Sequence, residues 1–242
     1  MQTLMIGGLL SVGILALTFF NSKAGIGTFF NPEGLAIVLG GTFSILLMTS
    51  KKEELLLMLK QVRRLIFKKT AAKQLKDILL ETSQAIQKGQ IPADTGHPFL
   101  NKALGWLSAG LRGPALVKLL TDGAQLEIER VNASAQILSN LSKYPPALGM
   151  VGTVFGIIAI FNGLGSAEGQ KTIGVNLAFA MTATLYGLIS SNFFVSPLSE
   201  LLLQSAQKEE IELSMIVETV KLWSEKESHF FIQENIELYH VA

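Results

Sequence analysis

From Thr172 to Ser199 the chain reads TIGVNLAFAMTATLYGLISSNFFVSPLS, without one Asp, Glu, Lys or Arg. A helix needs roughly 20 apolar residues to cross about 30 Å of hydrocarbon, and this stretch supplies them. It is not alone. Leu4 to Phe20, Gly34 to Thr49 and Tyr144 to Leu164 are also free of charge. Gly34 to Thr49 is short, and Phe29 and Phe30 extend it at the interface. Four such segments in one chain fit membrane spans better than buried core helices. The expected fold is therefore all-α: a polytopic membrane protein with four transmembrane helices and a helical cytoplasmic domain.

Composition agrees. Of 242 residues, 49% are hydrophobic and 16% charged, against roughly 25% charged in an ordinary soluble domain. Mean hydropathy is +0.41. The net charge of +1 points away from nucleic acid as a bulk electrostatic partner and leaves membrane lipid as the principal surroundings. The absence of cysteine excludes a disulfide scaffold, a thiolate zinc site and a cysteine nucleophile. Met1 to Phe20 has no basic n-region and no small-residue cleavage site, so the first apolar stretch is expected to stay as a membrane helix.

Basic residues orient the spans. Fifteen of the 20 Lys and Arg lie between Lys51 and Lys143. The loops after the first and third spans hold only Lys23 and Lys171, and the tail holds Lys208, Lys221 and Lys226. The basic side faces the cytoplasm, which places both termini inside. The expected divisions are a transmembrane hairpin over 1–50, a cytoplasmic helical domain over 51–143, a second hairpin over 144–199 and a cytoplasmic helical tail over 200–242.

The middle domain reads as helical. Lys52 to Lys69 places Leu55, Leu59, Val62 and Ile66 on one face, and Gln74 to Gln87 repeats the pattern with Leu75, Ile78, Leu79 and Ile86. Gly89 fits a helix stop, and Pro92, Gly96 and Pro98 mark a loop. Leu116 to Lys143 reads as a long helix interrupted at Gly123. The tail from Leu198 to Lys221 lacks proline and glycine, so the fourth span is expected to continue into it as a solvated amphipathic helix. Trp223 and Tyr239 read as packing or interface anchors.

Enzyme chemistry finds no foothold. The phosphate-cradling loop is missing, and Gly25 and Gly27 form only a fragment of a glycine motif. His97, His229 and His240 lack metal-ligand spacing and read as surface or capping residues. No serine sits in a nucleophile elbow. Neither a cofactor nor a metal site is expected. The spans themselves hold no ionisable group, and Glu33 and Glu168, at their outer edge, read as solvated loop charges. If the protein conducts ions by protonating a carboxylate, another subunit must supply that carboxylate.

The later spans carry the informative residues. The third runs Tyr144-Pro-Pro-Ala-Leu-Gly-Met-Val-Gly-Thr-Val-Phe-Gly156. Pro145 and Pro146 suit a first helical turn. Gly149, Gly152 and Gly156 recur at three and four residues and line one strip, for close packing or for function. Thr153 is the only hydroxyl in the middle of this span. On the fourth span Ala180, Thr184, Gly187 and Ser191 share a small, weakly polar face. A threonine can satisfy itself on its own backbone. A polar strip facing Thr153 would also offer hydroxyls to water or to a partner's carboxylate. Pro197 sits where a proline can kink the exit into the tail.

Pro146-Ala-Leu-Gly-Met-Val-Gly-Thr-Val-Phe-Gly156 resembles the third-helix signature of the MotA, TolQ and ExbB superfamily. Thr184-Leu-Tyr-Gly187 with Asn192 and Ser196-Pro197 resembles its fourth-helix signature. Ala36-Ile-Val-Leu-Gly-Gly-Thr42 and the N-terminal hairpin are similar to the MotA branch. The resemblance implies a flagellar stator subunit in the inner membrane. Five copies would surround two copies of a MotB-type single-span partner that carries the ion-binding aspartate and a peptidoglycan-binding domain. The transported ion would be H+ or Na+. It further implies that Thr153, Thr184 and Ala180 lie on the ion pathway, and that Pro146 and Pro197 couple ion flow to torque. Lys88 and Asp94 would contact the rotor's switch complex. The rotor region departs from the family pattern: Ile86 stands at the basic position and Asp94 replaces a glutamate. The alternatives are an ExbB- or TolQ-like energiser of outer-membrane work and a non-conducting scaffold.

Overall fold

The computed structural model describes residues 2–21, 26–67, 75–92 and 94–239. Lys23, Lys69, Gln74 and His240 lie outside them. Among the described residues every regular element is helical. The chain divides into two compact units, Met1–Val62 with Ser134–Leu201 and Arg63–Ala133 with Leu202–Ala242.

In the first unit, α1 covers Gln2–Phe20, and a 3-10 turn follows at Ile26–Phe29. Helix α2 (Pro32–Leu35) opens with the Asn31 side chain accepting from the Gly34 N–H and with Pro32 in its first turn, the arrangement both residue types favour. A π-helical turn, Ala36–Gly40, leads into α3 (Gly41–Thr49). Helix α4 (Lys52–Phe67) begins after a short break. Past the intervening segments come α7 (Gly113–Leu141), α8 (Tyr144–Gly163) and α9 (Ala167–Ile189). A second π-helical turn, Ser190–Val195, precedes α10 (Ser196–Glu225).

Among the described residues three helical stretches are long and apolar enough to cross a membrane: Pro32–Thr49, Gly113–Gly163 and Ala167–Glu225. Within α1 the stretch Ile6–Thr18 is apolar but shorter. The burial pattern of this unit is the reverse of a water-soluble core. Gly149, Gly152, Gly156, Ala180 and Ala183 are buried, while Leu9, Leu17, Met150, Phe161 and Met181 are more than 60% exposed. Small residues inside and large apolar ones outside suit helices whose surroundings are lipid or other apolar helices.

The second unit has a conventional apolar core. Helix α5 (Leu75–Gln87) ends where Gly89 takes φ 77°. The Gln90 N–H reaches back to the Ala85 carbonyl and the Gly89 N–H to Ile86, a glycine-terminated helix end. Leu79 of α5, Leu100 and Leu104 of α6 (Pro98–Ser108) and Leu116 and Leu120 of α7 pack with Ile216 and Val220 of α10. Ile232 and Ile236 of α11 (His229–Leu238) complete it.

Four sequence expectations change here. Pro98 begins a helix instead of marking a loop, because His97 caps it with Nδ1 accepting from the Leu100 N–H. Gly123 does not interrupt α7. A Cβ there would meet the Trp106 and Phe99 rings at 3.2 and 3.3 Å, so the glycine makes room for two aromatics. The tail is not simply solvated: Leu213, Ile216, Val220 and Trp223 of α10 are buried at i, i+3, i+4 spacings. Among the described side chains of α4, Met58 is buried and Leu59 is exposed. Trp223 does serve packing, and Tyr239 is partly buried against the same core.

Candidate functional site

Helices α8 and α9 meet through glycine. A Cβ on Gly149 would stand 3.0 Å from the Thr184 Cα and the Ala183 carbonyl oxygen. On Gly152 it would stand 2.5 Å from the Ala183 methyl, and on Gly156 2.6 Å from that of Ala180. On Gly187 it would collide with the Pro145 carbonyl, and on Gly169 with the Gly163 backbone. Real Cβ atoms essentially never come closer than 3.0 Å, and 3.0 Å itself is tighter than most of their contacts. The approach therefore exists only because these positions lack side chains, as small-residue helix pairing requires.

That approach brings Thr153 and Thr184 together. Their hydroxyls hydrogen-bond to each other. Thr153 Oγ1 also reaches the Gly149 carbonyl at 3.2 Å and the Ala180 carbonyl at 3.1 Å. Thr184 Oγ1 lies 3.3 Å from the Gly149 carbonyl. Two hydroxyls thus share two backbone carbonyls. Two protons cannot saturate the lone pairs of four oxygens, so the cluster has a net surplus of acceptors. Both threonines are half-buried. The cluster can accept a hydrogen bond from water, from a hydronium ion or from a protonated carboxyl, or lend oxygens to a desolvating cation.

Next to Gly156 a cavity of about 450 Å³ is lined by Asn31, Pro32, Glu33, Phe155, Ala159, Val175, Asn176 and Phe179. Glu33, read from sequence as a plain loop charge, borders this cavity. Tyr186 is a second residue the sequence did not mark. Its hydroxyl accepts from the Asn31 N–H at 2.7 Å and donates to the Phe29 carbonyl, which fixes the start of α2 against α9. Its place in a Thr-Leu-Tyr-Gly motif was the only signal. Tyr186→Phe leaves the Asn31 N–H and the Phe29 carbonyl without this partner. It should cost about 1–3 kcal/mol, measured as a lower thermal midpoint in detergent with the α-helical signal unchanged.

The other expected site residues lie apart from this cluster. Pro146 is in the first turn of α8 and Pro197 in the first turn of α10. Lys88 and Asp94 are exposed in the second unit. Asp94 Oδ1 accepts from the Gly96 N–H at 2.9 Å and from Asn101 Nδ2 at 2.8 Å. These bonds to the ionised form, the Gly96 one foremost, hold its carboxyl below the usual carboxylate range. Because the folded pKa is depressed, the loop's support from Asp94 is full above its unfolded value near 4 and is lost as pH falls through the folded value. Protection of the Gly96 amide, its exchange measured against the intrinsic rate at each pH, should therefore fall on acidification through about pH 4 and below, and Asp94→Asn should remove that pH step. A step that survives in Asp94→Asn would assign it to another group.

Apolar helices packed through glycine around a pair of hydroxyls define a multi-pass membrane protein. Residues 93–215 match the MotA/TolQ/ExbB proton channel family, and the chain belongs to that family. It is similar to the chemotaxis protein PomA of Vibrio alginolyticus, with 27% identity over 221 residues, 89% of this chain and 85% of that one. Motility protein A of Borreliella burgdorferi is 26% identical over 236 residues, again 89% and 85%. The fold is shared with the structure of C. jejuni MotAB at TM-score 0.83 and 17% identity, over 98% of this chain and 94% of that one. It is shared also with the flagellar MotAB stator complex of Bacillus subtilis, at 0.81 and 20% identity over 97% and 94%.

Proposed function

We propose that this chain is the ion-conducting subunit of a flagellar stator, acting with a MotB-type partner to turn proton or sodium flow into torque on the rotor. The observation that carries the reading is the Thr153–Thr184 hydroxyl pair set in spans, Tyr144 to Leu164 and Thr172 to Ser199, that hold no Asp, Glu, Lys, Arg or His. Such a pair can receive an ion but cannot bind it by charge, so a carboxylate must come from elsewhere. A single-span partner lying beside this face would bring it. Relatives that match most of the chain are motility proteins, which favours this reading over an ExbB- or TolQ-like energiser.

In this reading the chain spans the inner membrane four times with both termini in the cytoplasm. Residues 1–50 and 144–199 form the two hairpins, 51–143 the cytoplasmic domain and 200–242 the tail. Copies of the chain, five in all, enclose the partner's helices, with α8 and α9 innermost. Thr153, Thr184 and Ala180 line the ion's way past the partner carboxylate. Gly149, Gly152 and Gly156 hold α8 on α9. Pro146 and Pro197 pass the resulting movement on, and Lys88 and Asp94 face the rotor.

The test is complementation. Expressed with a single-span partner in a host lacking stators, the chain should restore swimming that stops when the driving ion gradient is collapsed. Correctly inserted protein that restores no ion-dependent motility with any such partner would overturn the assignment.

A further inference from the structure

We infer that Ser191 is a positioning residue that links the two proline-bearing helix ends by giving the hydrogen bond Pro146 cannot. In a helix each N–H bonds to the carbonyl four residues back. Pro146 has no N–H, so the Ser142 carbonyl is deprived of that donor. Ser142 lies in the two-residue break between α7 and α8. The hydroxyl of Ser191, from a different helix, donates to this carbonyl at 2.5 Å. Ser191 is itself only 4% exposed, so its hydroxyl would pay a desolvation penalty without this acceptor.

The place of Ser191 gives the bond a second meaning. It belongs to the π-helical turn Ser190–Val195, and the Ser196 N–H bonds to the Ser191 carbonyl, five residues back. Pro197 follows directly. Single π turns often sit at functional positions and are places where helices kink. One residue thus joins the π turn ahead of Pro197 to the carbonyl left over by Pro146. Movement at either proline must strain or break the Ser191–Ser142 bond. The neighbouring contact is equally direct, since Gly187, one turn earlier on α9, lies against the Pro145 carbonyl. The bond therefore registers the end of α9 on the start of α8 by a specific pair of atoms.

The consequence for torque rests on the proposed stator role; the geometry does not. S191A and S191T are to be compared with the wild-type chain, each co-expressed with its partner in a stator-less host. The expectation for S191A is a several-fold loss of swimming speed per unit of ion flux, with membrane abundance and flux retained, because Thr153 and Thr184 are untouched. S191T, which keeps the hydroxyl, should restore the ratio. Hydrogen exchange over residues 190–196 of the purified complex should be faster in S191A and near wild type in S191T. Normal speed with unchanged exchange in S191A would overturn the proposal. So would a parallel fall of abundance, flux and speed, which marks a purely structural role. If the wild-type chain drives no motility, the stator reading fails, and the exchange comparison alone decides whether Ser191 holds the two ends together.

Discussion

Gly187→Ala should leave little assembled protein in the membrane. One methyl group at this position runs into the Pro145 carbonyl oxygen and comes within 3.1 Å of the Pro146 Cα. Both obstacles are backbone, so no rotamer change relieves them. The helices must separate at this level, and the adjacent Gly149–Thr184 approach loosens with them. Overpacking a tight interior costs about 1–3 kcal/mol, and more where backbone must move. We expect the upper end, about 3 kcal/mol or beyond. The same substitution at Gly174, on the same helix, meets nothing within 4 Å. Gly174→Ala should be silent or slightly stabilising, since alanine is preferred over glycine in a helix by about 1 kcal/mol. Membrane abundance and thermal midpoint in detergent, measured side by side, check the pair. Equal behaviour of the two variants would mean that α8 and α9 do not pack as described.

Thr184→Val should cut ion flux by about tenfold or more, equivalent to roughly 1.4 kcal/mol at the barrier, while abundance stays normal. Valine keeps the branched shape and removes only the hydroxyl. Thr153 then still has the Gly149 and Ala180 carbonyls at 3.2 and 3.1 Å, so its own hydroxyl stays satisfied. What disappears is one of the oxygens open to the passing species. Thr184→Ser should retain most of the flux, and Thr184→Ile should lose it by filling space as well as by removing oxygen. Flux measured in vesicles carrying the chain with its partner separates these outcomes. Wild-type flux in Thr184→Val would remove the hydroxyl pair from the pathway and leave it a packing contact.

Much of the architecture was legible in the sequence because the absence of charge over a span is a one-dimensional signal. The helices around Gly34, Tyr144 and Thr172 needed no partner information to be found. The glycine spacing at 149, 152 and 156 likewise follows from the period of the helix. Features that depend on two distant segments were not legible. Ser191 is one member of a weakly polar face until Ser142 is seen beside it. Tyr186 is an aromatic in a span until its hydroxyl meets Asn31. Gly123 reads as a breaker because isolated glycine disfavours helix, yet Trp106 and Phe99 reward the missing side chain. Pro98 reads as loop punctuation because the same residue ends one element and starts another, and only the His97 cap decides between them. The tail read as solvated because its charges are visible in sequence, whereas the face they leave uncovered shows only once α6 and α7 are placed.

The glycine seam between α8 and α9 has a mechanical corollary. Packed helices usually absorb stress in their side chains, which change rotamer and let one backbone slide past the other. At Gly149 and Gly187 there is nothing to rearrange, since backbone rests on backbone or nearly so. Such a pair has little internal compliance. A displacement applied at Thr153 is passed along α8 and α9 as a shift of one stiff body. Bending is then concentrated where the regular hydrogen bonding changes, at the π-helical turn of residues 190–195. Stiffness in one stretch and yield in the next make a lever with its pivot written into the backbone.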